Sequence, residues 1–207
     1  MTGPGPALPR TFYERPVVQV ARELLGKVLV TDHAGGRTAG RIVETEAYAG
    51  LNDPASHAVR LRRSRARMGG TGGLAYVHLS YGMHNTLNVV AEGEGTVAGV
   101  LIRAAEPVEG SGTMRARRGV GATVPDARLA SGPGNLARAF AIMLADDGRD
   151  LTSDPAFFIA DGPACSLVLV SARIGLTKAA DVPWRFFDGT SASVSAHRRG
   201  VVAVKVT

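Results

Sequence analysis

Apolar residues first recur at helical spacing, at Val17, Val20, Ala21, Leu24 and Leu25. Pro16 suits the first turn of this predicted helix and Gly26 its stop. The period then falls to two. Residues 27–31 read as a strand, and Ala34-Gly35-Gly36 as a hairpin turn into a second one. That second strand, Arg41-Ile42-Val43-Glu44-Thr45-Glu46-Ala47-Tyr48, alternates along its length. Val43, Thr45 and Ala47 are expected on the core face, and Glu44, Glu46 and Tyr48 on the other. Residues 74–80 and 85–91 form a predicted β-hairpin, with Tyr76, His78 and Ser80 on one face and Ala75, Val77 and Leu79 opposite. Its tip is Tyr81-Gly82-Met83-His84.

Residues 97–104 are a further strand, carrying Arg103 near its end. Glu106-Pro107 opens a polar segment that leads to a short helix with Met114, Arg115, Arg117 and Arg118, a second basic patch. Ser131-Gly132-Pro133-Gly134 precedes a helix in which Leu136, Ala139, Phe140, Met143 and Leu144 share a face. The last third is β-rich: strands are predicted at 166–172, 184–187, 193–196 and 201–206, with a hairpin signal at Asp188-Gly189 and an irregular link at 173–177.

Two features of this pattern are poor packing and good chemistry. Two carboxylates and a phenol share one face of the strand at 41–48, where a solvated face is the commoner outcome for spacing alone. Tyr81, Met83 and His84 sit at a tight tip, where they either fold back on the core or wedge into a partner, as apolar side chains do between DNA base steps. Asn52 or Asp53 before Pro54 reads as a cap. Arg60, Arg62, Arg63, Arg65 and Arg67 run into Met68-Gly69-Gly70-Thr71-Gly72-Gly73, which lacks the Lys-Ser/Thr of a phosphate-binding Walker loop. This segment is either a surface loop or an arm that meets phosphates. The glycines at 132 and 134 leave the same choice between an anion site and an ordinary helix start.

Composition narrows the partners. The formal charge of +6 over 207 residues favours an anionic partner, of which nucleic acid is the commonest. One domain at 9–207 is expected after a Gly- and Pro-rich tail at 1–8 that is expected to be disordered. Cys165 is the single cysteine, so an intramolecular disulfide and thiol-rich metal sites are excluded. No run of eighteen apolar residues is present to cross a membrane, and the start lacks a signal-peptide pattern, so an intracellular protein is expected.

Taken together and in order, the strand at 41–48, His57, Ala75-Tyr76-Val77, Tyr81-Gly82-Met83-His84, Asn88, Arg103 and Ser131-Gly132-Pro133-Gly134 resemble the alkyladenine (3-methyladenine) DNA glycosylase family. The likeness runs over about residues 8–195. It implies a mixed α/β (α+β) single domain, with a curved, mainly antiparallel sheet, flanking helices and a protruding β-hairpin that intercalates in DNA. It implies a monofunctional enzyme of base excision repair that flips alkylated or deaminated purines (3-methyladenine, hypoxanthine, ethenoadenine) out of the duplex and hydrolyses the N-glycosidic bond. Carried over by position, Glu46 resembles the general base that activates water. Tyr48, His57 and His78 resemble pocket walls, and Asn88 the gate that disfavours guanine. Tyr81 resembles the plug for the vacated stack. Met83, His84, Arg103 and Leu176 are expected to meet DNA, Arg103 by supporting the flipped nucleotide's backbone. No cofactor or metal is implied. The expected partner is double-stranded DNA containing damaged purines, bound by a cytoplasmic, nucleoid-associated monomer without a membrane.

The chemistry agrees with that likeness. A base inside a duplex is out of reach until it is extruded. Oxocarbenium character then develops on the sugar, which an anionic Glu46 stabilises while it takes a proton from water. No lysine lies in these motifs, so no Schiff-base lyase step is expected. The chain departs from the family at His78, where a second stacking tyrosine is usual; a charged histidine disfavours a cationic lesion, so neutral lesions are expected to be preferred below about pH 6.5. The arginines at 60–67 and the tail after Ala196 also depart from it. Two other readings are a metal hydrolase using His57, His78 and His84 with Glu46, which lack compact ligand spacing, and a non-catalytic lesion-binding domain of the same fold.

Overall fold

A computed structural model describes residues 5–33, 35–51, 53–56, 66–195 and 204–206. Helices α1 (Arg10–Tyr13) and α2 (Val17–Glu23) lead into strand β1 (Val28–His33). Helix α2 buries Val17, Val20 and Ala21, and Leu24 and Leu25 continue the same apolar stripe beyond its end. The helix ends earlier than the pattern predicts, at Glu23 with Leu24 as its cap, and Gly26 serves the turn that follows: its φ is +88°, and a Cβ there would lie 2.2 Å from the Pro163 carbonyl oxygen. β1 returns at Gly35 as β2 (Gly36–Ala49), a strand of fourteen residues. The hairpin strands β3 (Ala75–Ser80) and β4 (His84–Val90) follow, then β5 (Ala98–Glu109), α3 (Ser111–Arg118), α4 (Pro133–Ala139), β6 (Phe157–Ala160), β7 (Val168–Ser171), β8 (Arg185–Asp188) and β9 (Val204–Val206).

The strands form one antiparallel sheet in the order β3-β4-β5-β2-β8-β7-β9, with β1 and then β6 beside the first half of β2. β2 is its shared member. β5 pairs along one edge, and β1 and β8 divide the other. Packed against this sheet is the main core, in which Tyr13, Leu24, Ile42, Leu87, Ile102, Leu136 and Phe140 are wholly buried. No helix among the described residues is long and apolar enough to cross a membrane.

Several predicted details change. Val43 does not share the core face with Thr45 and Ala47. The register of β2 on β5 skips Val43, so this bulge puts Ile42 in the main core and Val43 in a small cluster with Ala104, Phe187 and Val194. The opposite face of β2 is not solvated: Glu44 and Glu46 are 0 % exposed. β5 runs on past Ala104 through Pro107, which is tolerated beside a register shift at Ala39/Gly40. Helix α4 ends at Ala139, and Ala141 has a φ of +52°, so Met143 and Leu144 leave the predicted face and are exposed. Leu79, at the outer end of the hairpin, is also half exposed.

The apolar run 157–160 is an unpredicted strand, and 193–195 is loop rather than strand. Asp188 accepts hydrogen bonds from Thr190, turning the chain without closing a hairpin. Within the segment 1–8, Ala7 bridges Ala160 and the Leu8 N–H donates to the Ile159 carbonyl. The arginines of α3 are not a free basic patch. Arg115 pairs with Asp126, while Arg117 donates to the Gly36 and Ala139 carbonyls and Arg118 to those of Arg128 and Leu129.

Candidate active site

Bulges build the site. Besides Val43, the β2–β5 register skips Arg103, because Glu44 faces Ala104 while Thr45 faces Ile102. Such an extra residue re-aims a side chain. Here Arg103 is turned onto β2, where its Nε donates to Glu44 Oε1 at 2.9 Å and its Nη1 lies 3.3 Å from Glu46 Oε2. Arg103 is only 6 % exposed. Its expected role toward the nucleotide backbone is therefore joined to one between two buried carboxylates.

Glu46 accepts two hydrogen bonds besides its ion pair with Arg103. The Tyr48 hydroxyl donates to Oε2 at 2.8 Å, and the Ile174 N–H donates to Oε1 at 2.8 Å. A carboxylate offers about four acceptor positions. Tyr48 and Ile174 take two of them, one on each oxygen, and Arg103 stands beside Oε2 as an ion pair. Burial first, and then the charge of Glu46, push the Tyr48 hydroxyl well above its ordinary value, which keeps it a donor. Arg173 covers one face of the Tyr48 ring, its guanidinium carbon 4.8 Å from the ring centre.

Behind Glu46 lies Glu44. Oε1 accepts from Arg103, from Arg185 Nε at 2.7 Å and from the Ser195 hydroxyl at 2.8 Å, and Oε2 accepts from the Ser195 N–H at 2.7 Å. Burial alone would push this carboxyl up. The charges of Arg103 and Arg185, with the Ser195 and Arg185 hydrogen bonds, hold it below the ordinary value instead. Arg103 is likewise pulled down by burial and raised by more through Glu46 and Glu44.

Sheet register extends the site sideways. Tyr76 of β3 pairs with Asn88 of β4, Asn88 with Leu101 of β5, Leu101 with Glu46 of β2, and Glu46 with Arg185 of β8. Directly paired residues share a face. Asn88 and Glu46 thus stand two strand spacings apart, about 10 Å, with Leu101 between them. Two pairs further along the hairpin, on the same face, His78 stacks on Tyr76 with ring centres 4.9 Å apart. Asn88 Nδ2 donates to the Tyr76 carbonyl and lies 3.3 Å from His78 Nδ1. This bond requires a lone pair on Nδ1, the neutral tautomer.

The hairpin tip is a separate surface. Tyr81 is 82 % exposed and Met83 71 %, so neither folds back on the core. His84 is exposed at the base of the tip. Gly134 packs against the His84 ring, 3.0 Å from where a Cβ would sit; that close approach accounts for the glycine. The link after β7 joins tip and base. Ile174 holds Glu46, the Gly175 carbonyl accepts from the Tyr81 hydroxyl at 3.3 Å, and the half-buried Leu176 follows.

His57, Asn52 and the arginines at 60–65 lie outside the described residues. Asp53 caps no helix among them; it accepts from the Ala55 N–H and pairs with Arg173. Sequence reasoning missed Leu101, Arg173, Ile174, Arg185 and Ser195. The alternation of β5 could have found Leu101. The others act across 120 residues or more of chain and leave no local signal. Among the described residues no three His, Cys, Asp or Glu side chains are grouped to hold a metal ion.

The family model for methylpurine-DNA glycosylase (MPG) matches residues 11–192. A relative from Methanocella arvoryzae is 47 % identical over 203 residues, covering 94 % of this chain and 98 % of its own. One from Chlorobium luteolum is 42 % identical over 195 residues, covering 92 % and 97 %. One from Rubrobacter xylanophilus is 48 % identical over 167 residues, covering 79 % and 84 %. All three are provisionally named 3-methyladenine DNA glycosylases. The chain belongs to the methylpurine-DNA glycosylase family, and with it to the hydrolases that cleave N-glycosyl bonds of alkylated bases in DNA.

Proposed function

We propose that this protein excises alkylated and deaminated purines, among them 3-methyladenine, hypoxanthine and ethenoadenine, from double-stranded DNA by base flipping and a single hydrolytic step at Glu46. The observation that carries the proposal is the row Tyr76–Asn88–Leu101–Glu46 on one sheet face, beside an exposed hairpin tip.

Extrusion of the nucleotide costs a few kcal/mol of stacking and pairing. Tyr81 and Met83 are displayed where they can enter the duplex and refill the stack. The extruded purine lies over Leu101, with Asn88 crowding an amino group at the purine 2-position and Tyr48 offering an aromatic face. Water on Glu46 Oε1 attacks the sugar carbon. Its oxygen bonds to that carbon as the bond to the base nitrogen breaks, the electron pair leaves with the base, and Glu46 takes the water proton. Before transfer, the buried anion stabilises the developing oxocarbenium charge. Tyr48, Arg103 and the Ile174 N–H fix the carboxylate that does this. All of these groups come from one chain, so a monomer suffices.

The test is free-base release from duplex oligonucleotides carrying one hypoxanthine, ethenoadenine or 3-methyladenine analogue, read by chromatography. Released base with an abasic, uncut strand is expected. Binding to lesioned and plain duplex alike without release of any base would contradict the proposal and favour a lesion-binding module.

A further inference from the structure

Glu44 is wholly buried, two residues before Glu46, and the reaction described above gives it no work. Its four hydrogen bonds form an arrangement that solvation or packing alone would not require. Two come from the guanidinium Nε atoms of Arg103 and Arg185, and two from one residue, Ser195, through its N–H and its hydroxyl. Ser195 reaches Glu44 from 151 positions further along the chain. Arg185 is itself fixed, by the Ser171 hydroxyl and by stacking on Phe187.

The consequence falls on Arg103. A guanidinium presents a planar fork that pairs with a carboxylate through two parallel hydrogen bonds when free to do so. Arg103 does not pair with Glu46 in that way. Its Nε side is held by Glu44 at 2.9 Å, and a single nitrogen reaches Glu46 at the longer distance of 3.3 Å. A two-pronged Arg103 would take one position on each Glu46 oxygen. One of these would be on Oε1, the oxygen to which Ile174 donates and to which the reaction above assigns the water.

We propose that Glu44 is a positioning residue for the base-release reaction: anchored by Ser195 and Arg185, it draws Arg103 partly away from Glu46 and so keeps a Glu46 oxygen accessible to water. This rests on the reading of Glu46 as the general base. When the Glu44 charge is lost, Arg103 is free to turn its fork to Glu46. The charged and titratable groups around Glu46 are Tyr48 and Glu44 on β2, Arg103 on β5, Arg185 on β8 and Arg173 on the link.

The test is the pH–rate profile of single-turnover base release at saturating protein, on duplex DNA carrying hypoxanthine. It is run for the full chain and for E44Q, E44D, S195A and E46Q. E44Q is expected to lower the plateau about tenfold and to move the acidic limb at least half a pH unit lower, with duplex binding unchanged. S195A, which removes one of the two Ser195 anchors, moves the limb the same way by less. E44D keeps the charge but retracts it from Arg103; it gives the intermediate shift and decides the matter if E44Q does not fold. A lower plateau with an unmoved limb in the folded variants means ordinary structural damage and overturns the proposal. Full activity in E46Q would overturn the reading of Glu46 instead, so the two failures are distinct.

Discussion

Arg173 grips Asp53 with both terminal nitrogens, at 2.5 and 2.9 Å, in an ion pair almost wholly removed from solvent. The same guanidinium donates to the Ala47 carbonyl and lies over the rings of Tyr48 and Trp184. It thus ties the end of β2 to the link that carries Ile174. Asp53→Asn leaves a buried cation without its counter-charge, and about 3–5 kcal/mol of stability is expected to be lost in urea unfolding. The Asp53→Asn, Arg173→Met double variant is expected to recover part of that loss, because the uncompensated charge is gone.

Acid sensitivity follows from the same pair. Burial raises the Asp53 carboxyl, but Arg173 and the Ala55 N–H lower it by more, so its folded value lies below the ordinary one. The unfolded chain therefore takes up the proton first as pH falls. The pair's contribution is complete at neutral pH, begins to fade near the unfolded value of about 4, and is lost below the folded value. Glu44 behaves in the same sense. Unfolding free energy is expected to fall steeply below about pH 4.5, and less steeply in Asp53→Asn. A flat profile from pH 7 to 3 would contradict this.

Tyr81 tests the hairpin without testing the fold. The side chain is 82 % exposed, and among the described residues its hydroxyl donates to the Gly175 carbonyl. Tyr81→Ala is expected to change stability by no more than about 0.5 kcal/mol. Base release from a fully paired duplex is expected to fall about tenfold or more, and from a lesion in a mismatch by less, because less stacking has then to be replaced. Equal losses on both substrates would separate Tyr81 from extrusion.

His78 tests specificity. Its Nδ1 accepts from Asn88, and its ring stacks on Tyr76. Protonation removes that acceptor and brings a positive charge to the pocket wall. The ratio of hypoxanthine to cationic methylpurine excision is expected to rise below about pH 6.5 in the full chain and to stay flat in His78→Tyr. The same pH dependence in both would remove His78 from the specificity account.

No lysine occurs in β2, β3, β4 or β5. Borohydride is expected to trap no covalent protein–DNA complex during turnover. Activity is also expected to survive chelators at full rate. A trapped complex would show an amine nucleophile and a lyase step.

The chemistry of this fold was legible in the sequence where it is local. The alternation of 41–48 marked Glu44, Glu46 and Tyr48 as one face, and the interrupted alternation at 81–84 marked the tip. What escaped is what a period of two cannot encode. The bulges that skip Val43 and Arg103 depend on pairing between β2 and β5, and they decide which residue faces Glu46. Arg185 and Ser195 come to Glu44 from the far end of the chain, with no spacing rule to announce them. The exposure of Met143 and Leu144 follows from the positive φ at Ala141, which ends a helix that apolar periodicity alone would extend.

Glu46 is the centre of the account, and Glu46→Gln probes it with almost no change in shape. The decisive measurement is single-turnover release of hypoxanthine from a duplex, with wild type and Glu46→Gln both at concentrations that saturate binding. The account predicts that the variant binds the lesion as wild type does and releases base about 10²–10⁴-fold more slowly. Release at an undiminished rate by a folded, DNA-bound Glu46→Gln would contradict it.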